Sequence, residues 1–164
     1  MSKTLVVIRH AKAQNPDGAI IDFERSLTET GKSDAEKMGQ KLAGQKLSPG
    51  LIISSPAKRT RQTAKRIAKE LNYNIEHIIW NENLYHCTPE LINAIVSEIT
   101  DSVSTAFIVG HNPGVTEFAA NLDAAFRIEN LPPCGVVGVK IEAGQWEKFD
   151  FVPKKVFLFE FPKK

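Results

Sequence analysis

Apolar residues in this chain follow two rhythms: short unbroken runs, and single positions three or four apart. The two alternate along the first two thirds of the sequence. Thr4 to Arg9 places Leu5, Val6, Val7 and Ile8 in succession, which reads as a strand buried on both faces. A polar, turn-rich stretch follows, "AQNPDGAIIDFERS". Then "LTETGKSDAEKMGQKLAGQ" carries Ala35, Met38 and Leu42 at helical spacing, with Thr28 or Thr30 as its N-cap. "GLIISS" predicts a second buried strand, and Pro56 opens a helix over "AKRTRQTAKRIAKEL" that runs to Leu71. Ile75 to Trp80 reads as a third strand. "CTPELINAIVSEIT" predicts a helix with an apolar face of Leu91, Ile92, Ile95, Val96 and Ile99. "TAFIVG" is a fourth buried strand, and "NPGVTEFAANL" starts a helix behind Pro113. The tail changes character. "CGVVGVKIEAGQWEKFDFV" reads as two strands around an Ala143-Gly144 turn and "KVFLFEF" as a third, with its phenylalanines in alternating strand packing. These complete the sheet partly antiparallel, with Pro153, Pro162 and lysines guarding its edge.

Strand–helix alternation at this spacing predicts an α/β fold with a mainly parallel sheet covered on both faces. The 164 residues suit one domain, 1–164, with no repeat or linker. A formal net charge of +2 does not announce nucleic acid as a partner, and the longest apolar runs are too short to span a membrane. The apolar start is interrupted at Arg9, too early for a signal peptide. Cys87 and Cys134 have no metal-ligand spacing, so the expected compartment is the reducing cytoplasm.

Open α/β sheets bind ligands outside the carboxyl ends of their strands. Three predicted strands deliver reactive groups there. The first ends in Arg9-His10. The second ends in Ser54-Ser55-Pro56 and launches a helix carrying Lys58, Arg59 and Arg61. The fourth ends in Gly110-His111-Asn112-Pro113. Arginine forks and backbone N–H groups at helix starts make an anion site that matches phosphate oxygens. An imidazole in such a site can attack phosphorus and carry the phosphoryl group.

On these residues the chain resembles the histidine phosphatase superfamily. "RHAK" is similar to its Arg-His-Gly signature, "SSPAKRTRQTA" to its Ser-Pro-x-x-Arg-x-x-x-Thr segment with the arginine at Arg59, and "VGHNPG" to the segment holding its second histidine, here His111. "DFERSLTETGKSDA", "ENLYHCTPEL" and "LPPCGVV" look like the SixA-type phosphohistidine phosphatases. The resemblance implies a phosphoglycerate mutase-like three-layer α/β/α sandwich. It also implies a phosphatase that works without metal or other cofactor. His10 would be the nucleophile, passing through a phosphohistidine intermediate, and Arg9, Arg59 and His111 would clamp the phosphate. The expected partner is a protein bearing phosphohistidine, or a small phosphorylated molecule. His10 must be neutral to attack; the ordinary value of about 6.5 already favours this near neutrality, and Arg9 and Arg59 should push it lower.

Two departures from the family pattern bear on the chemistry. Ala11 stands where many members have glycine, and its methyl would narrow the approach to the nucleophile. The general acid is also open: Glu82 is the candidate, with Asp22 or Glu24 second. An imidazole leaving group needs such an acid less than an alkoxide does, so a missing acid points to a P–N substrate. The loops after the first and third strands are short, which suits an open site and hydrolysis rather than mutase chemistry. Ser55 reads as a helix cap, His77 as structural, His86 and Cys87 as loop packing. Arg61, Lys65, Arg66 and Lys69 read as a solvated face that could steer an acidic partner. The rival readings are a phosphatase for small phosphate esters, a phospho-ligand binding module without turnover, and a metallohydrolase using His10, His86, Asp22 and His111.

Overall fold

Leu5, Val6, Val7 and Ile8 are at most 1% exposed, because β1 (Lys3–Arg9) lies inside a six-stranded sheet with neighbours on both sides. The structure is a computed structural model and describes residues 1–163. The chain continues as α1 (Glu29–Gly44), β2 (Leu51–Ser54), α2 (Lys58–Glu70), β3 (Ile79–Trp80), α3 (Pro89–Ser97), β4 (Thr105–Gly110), α4 (Gly114–Ala120), β5 (Val136–Ile141) and β6 (Lys154–Glu160). The strand order is β3-β2-β4-β1-β5-β6. The first four are mutually parallel, and β5 and β6 join antiparallel. Alternate residues of β1 feed opposite layers. Val6 and Ile8 pack with Met38 and Leu42 of α1 and Ile67 of α2. Leu5 and Val7 pack with Val96 of α3, Phe118 of α4 and Trp146. Helices on both faces make this a three-layer α/β/α sandwich. Each such side chain contributes roughly 1.5–3 kcal/mol by leaving water, so β1 is tied into both cores at once.

α1 and α3 start where the sequence puts threonine caps, whereas α2 and α4 start at Ala57 and Pro113 without a side-chain cap. The Thr28 hydroxyl accepts from the Gly31 N–H, and the Thr88 hydroxyl from the Leu91 N–H. Two expectations are corrected. Ile75–His77 forms a single 3₁₀ turn, and only Ile79–Trp80 pairs as a strand, because the Asn74 side chain caps Glu76 and turns the backbone out of the sheet. Trp146–Phe151 is a 3₁₀ turn, so the tail supplies two strands rather than three. Trp146 and Phe149, three apart, fall on one face of a three-residue turn and are both buried, while Phe151 is left exposed. The phenylalanines of β6 do alternate, but Phe157 and Phe159 occupy its more exposed positions.

The chain leaves β1, skips one sheet position to build β2 and β3, and returns to fill the gap with β4. This crossover puts the carboxyl ends of β1 and β4 side by side.

Candidate active site

Register does the first part of the assembly. Arg9 pairs with Gly110, so the next residues of the two strands, His10 and His111, emerge together. The His10 N–H donates to the Gly110 carbonyl at 3.1 Å, and its own carbonyl accepts from Cys134 N–H at 2.9 Å. The two rings lie 5.3 Å apart between centroids. The neighbouring β2 end supplies Ser55, whose N–H donates to the Val109 carbonyl at 3.0 Å. Four turns of backbone thus converge on an open cleft of about 320 Å³, lined by Arg9, His10, Lys12, Arg25, Arg59 and His111 among others. Among the described residues, no acidic side chain lines it.

His10 is 8% exposed, and its Nδ1 lies 2.7 Å from the Ala11 carbonyl oxygen. A carbonyl only accepts, so Nδ1 carries the proton and the lone pair of the neutral ring is on Nε2. Burial brings the His10 pKa down to about 4, Arg59 and Arg9 add to the effect, and the bond to Ala11 opposes it. The ring is neutral at pH 7. Ala11 itself is fully buried in the α1/α2 core layer, so its methyl points away from the nucleophile's approach. The expected narrowing at this position does not occur. Ala11 N–H donates to the Thr63 hydroxyl at 3.0 Å, which in turn donates to the Arg59 carbonyl at 2.8 Å. The hydroxyl four residues after Arg59 therefore ties the histidine loop to the helix that carries the arginine.

His111 is buried, and its Nε2 is 2.8 Å from Ser55 Oγ. Ser55 Oγ also accepts the Ala57 N–H at 3.3 Å, and among the described residues its hydroxyl proton has no acceptor in reach other than Nε2, to which it donates. In that arrangement the His111 proton sits on Nδ1, which is buried without a protein acceptor. Burial, then the proximity of His10 and Arg59, brings the His111 pKa down to about 3. Ser55 thus supports an imidazole rather than capping the helix: the N-cap of α2 is Ala57, with no side-chain cap bond.

Arg59 is 6% exposed and its fork is occupied by Asp22: Nη1 donates to the backbone carbonyl at 2.8 Å and Nη2 to the carboxylate at 3.0 Å. The Tyr85 hydroxyl donates to the same carboxylate at 2.6 Å and Arg25 Nε at 2.9 Å. Tyr85 first, then Arg25 and Arg59, hold Asp22 far below the usual carboxylate range, so it is ionised and has no proton to give. Arg9 is anchored from the opposite wall by donation to the Leu131 carbonyl at 3.0 Å, and Asn112 Nδ2 donates to the same oxygen at 3.3 Å. The Nε–H groups of Arg9 and Arg59 are buried without a protein acceptor.

Of the sequence-predicted site residues, Arg9, His10, Arg59 and His111 share the cleft. Glu82 does not. It is exposed in a 3₁₀ turn and absent from the lining. Glu24 is likewise exposed. His86 packs at a tilt against the Tyr85 ring, 4.2 Å between centroids, and does not line the cleft, and no three His, Cys, Asp or Glu side chains among the described residues are grouped as metal ligands. His77 sits in the Ile75–His77 turn instead of a strand. Cys87 and Cys134 are buried free thiols, and burial pushes the Cys134 pKa up to about 12. No helix is long and apolar enough to cross a membrane among the described residues. Sequence reasoning gave no role to Thr63, although it is the threonine of the Ser-Pro-x-x-Arg-x-x-x-Thr segment, one helical turn after Arg59. It missed Tyr85 and the Leu131 carbonyl, which are long-range contacts with no local signal.

The family model of the histidine phosphatase superfamily (branch 1) matches residues 5–82. An uncharacterized chloroplastic protein of Arabidopsis thaliana is 31% identical over 156 residues, which is 90% of this chain and 71% of the relative. Among solved structures, the candidate phosphohistidine phosphatase SixA from Nakamurella multipartitia superposes with a TM-score of 0.86 at 23% identity, covering 99% of this chain and 97% of the other. The protein histidine phosphatase SixA complexed with tungstate gives 0.82 at 21% identity, with 96% of each chain covered. The mycobacterial glucosyl-3-phosphoglycerate phosphatase shares the fold at a TM-score of 0.69 and 14% identity, covering 95% of this chain and 97% of that one.

Proposed function

Because the chain belongs to the histidine phosphatase superfamily, we propose that it is a metal-independent phosphatase of the SixA kind that removes phosphate from phosphohistidine on a protein. One observation carries the reading: the buried, neutral His10 offers its Nε2 lone pair to a cleft whose other functional groups are cationic or donors. Nε2 attacks phosphorus and the P–N bond to the substrate ring breaks; that ring, protonated on its other nitrogen, leaves as neutral imidazole and needs no proton from the enzyme. The His10 ring is cationic while phosphorylated at Nε2 with its proton still on Nδ1, and the Ala11 carbonyl accepts that proton's hydrogen bond throughout. Water then attacks phosphorus, the new P–N bond breaks, and Nε2 recovers its lone pair. Arg9, Arg59 and the His111 Nδ1–H bind the oxygens on which charge accumulates, so catalysis is positioning and charge stabilisation.

The substrate assignment rests on the leaving group. The cleft has no acidic lining residue among those described, Asp22 is held ionised and Glu82 stands outside. An alkoxide would need a proton donor there; an imidazole needs one far less. The fold shared with glucosyl-3-phosphoglycerate phosphatase keeps a small phosphate ester as the second reading. The two buried free thiols support the reducing cytoplasm as the working compartment.

The test is a paired assay in the presence of chelator, with a phosphohistidine protein and a panel of phosphate esters. Wild type should release phosphate from phosphohistidine. His10→Ala should lose it by several orders of magnitude and Glu82→Gln should keep most of it. Preference for an ester with Glu82→Gln crippled would assign the small-molecule reading. A loss on chelation would revive the metallohydrolase, and no His10-dependent turnover would leave a binding module.

A further inference from the structure

Beside the cleft, on the outer side of α2, runs a groove of about 500 Å³ lined by Phe23, Pro56, Arg61, Lys65, Ile75, Trp80 and one acid, Glu76. It combines two features that soluble surfaces keep apart. Trp80 and Ile75 are 37 and 41% exposed and give the groove an apolar wall at the edge strand β3. Arg61 and Lys65 line the same groove, and with Lys58 and Lys69 they form one stripe along α2, three or four residues apart. Among the described residues, α2 has no acid in its first turn, and of its cations Arg59 and Arg66 pair with carboxylates, Asp22 at 3.0 Å and Glu36 at 3.9 Å, while Lys58, Arg61, Lys65 and Lys69 do not. The Lys65 ammonium lies 5.9 Å from the Trp80 ring centroid, so charge and apolar surface are interleaved.

The groove neighbours the cleft across a row of packed rings, with no lining residue in common. Phe23 is next to Asp22, which holds the Arg59 fork, and packs edge-on against Tyr85 at 5.1 Å. Tyr85 in turn packs edge-on against His111 at 5.5 Å. Arg59 itself is on α2, one residue after Lys58 and two before Arg61. A chain whose phosphorylated side chain enters the cleft can lay its flanking residues on one side over this neighbouring surface.

We infer that the Arg61–Lys65–Trp80 groove is the docking surface for an acidic protein segment that carries the phosphohistidine, with one apolar side chain of the partner seated against Trp80 and Ile75. The occupant follows from charge complementarity: unpaired cations call for carboxylates, and these raise the encounter rate in a salt-dependent way. The inference rests on the phosphohistidine reading and adds the partner's chemistry to it.

The test uses three substrates of the full-length protein: free phosphohistidine, and two phosphohistidine peptides prepared with phosphoramidate, one flanked by aspartates, glutamates and a leucine, the other by lysines. Wild type should hydrolyse the acidic peptide with the higher kcat/KM, and raising salt should erode that preference. Arg61→Glu/Lys65→Glu and Trp80→Ala should each lower kcat/KM for the acidic peptide at least tenfold, through KM, while free phosphohistidine is hydrolysed at the wild-type rate. Retention of wild-type kcat/KM on the acidic peptide would overturn the docking surface. So would an equal loss on free phosphohistidine, which would locate the damage in the fold or the cleft. If wild type hydrolyses phosphate esters but none of the three substrates, it is the phosphohistidine reading that fails.

Discussion

Ser55 Oγ makes two hydrogen bonds that together decide where the His111 proton sits. It accepts from Ala57 N–H, and among the described residues Nε2 is the one acceptor that its own proton reaches. Removing it leaves a buried imidazole free to exchange tautomers, with Nδ1–H no longer assured as a donor. Ser55→Ala is expected to lower kcat about tenfold, the equivalent of roughly 1.4 kcal/mol for one lost hydrogen bond. Long-range ¹H–¹⁵N correlation should show His111 moving from a pure Nδ1–H form to a mixture. An unchanged rate with an unchanged tautomer would remove Ser55 from the site. At this scale the sequence was legible where reactive residues terminate strands, as at His10 and His111. It was illegible where a side chain's role is set by what lies across the fold. Asp22 meets Arg59 and Tyr85 across 37 and 63 residues of chain, and no local pattern reports that. Glu82 illustrates the reverse case: a position after a strand suggests proximity to the cleft, and the 3₁₀ turn over Glu82–Leu84 leaves it exposed outside the lining.

At the scale of elements, the loops are held to the strands by close backbone approach. Gly114 opens α4 directly against Cys87. A Cβ there would overlap the Cys87 carbonyl oxygen and lie 2.7 Å from its Sγ, and neither backbone nor a buried thiol can withdraw. Gly31 in α1 stands in the same relation to the Lys12 carbonyl, which fixes the segment following His10. Gly114→Ala is expected to cost about 2 kcal/mol or more through overpacking. It should also displace the His111 segment, read as a lower denaturation midpoint and a reduced kcat. A variant as stable and as active as wild type would mean that the Cys87 loop is free to move. Both glycines were present in the sequence as ordinary helix-start residues; their necessity comes from a neighbour that only the fold supplies. The same holds for Trp146–Phe151. Its apolar residues fit a strand or a three-residue turn, and Asp101, which accepts from the Trp146 N–H at 2.8 Å, selects the turn. Long apolar runs such as β1 and β4 admit one reading, because a segment without a polar face has to be buried on both sides.

For the molecule as a whole, the cationic cleft has a thermodynamic consequence at low pH. His10 and His111 are folded as buried neutral rings, with pKa values of about 4 and about 3, chiefly through burial. In the unfolded chain both return to about 6.5. Between these limits the unfolded state binds more protons, so stability rises with pH there. The contribution is complete above about pH 6.5 and is lost as pH falls toward the folded values. At pH 5 it amounts to at most roughly 2 kcal/mol per histidine, a drop of several degrees in Tm for a chain of this size. Thermal unfolding of wild type between pH 7.5 and 4.5 should therefore slope more steeply than that of the His10→Gln/His111→Gln variant, whose midpoint should vary less over the same range. Parallel slopes would mean that the two rings are hydrated or protonated in the folded state. A nucleophile protonated at pH 6 could not attack phosphorus. The same desolvation that makes the fold acid-sensitive therefore keeps His10 competent to pH values well below neutrality.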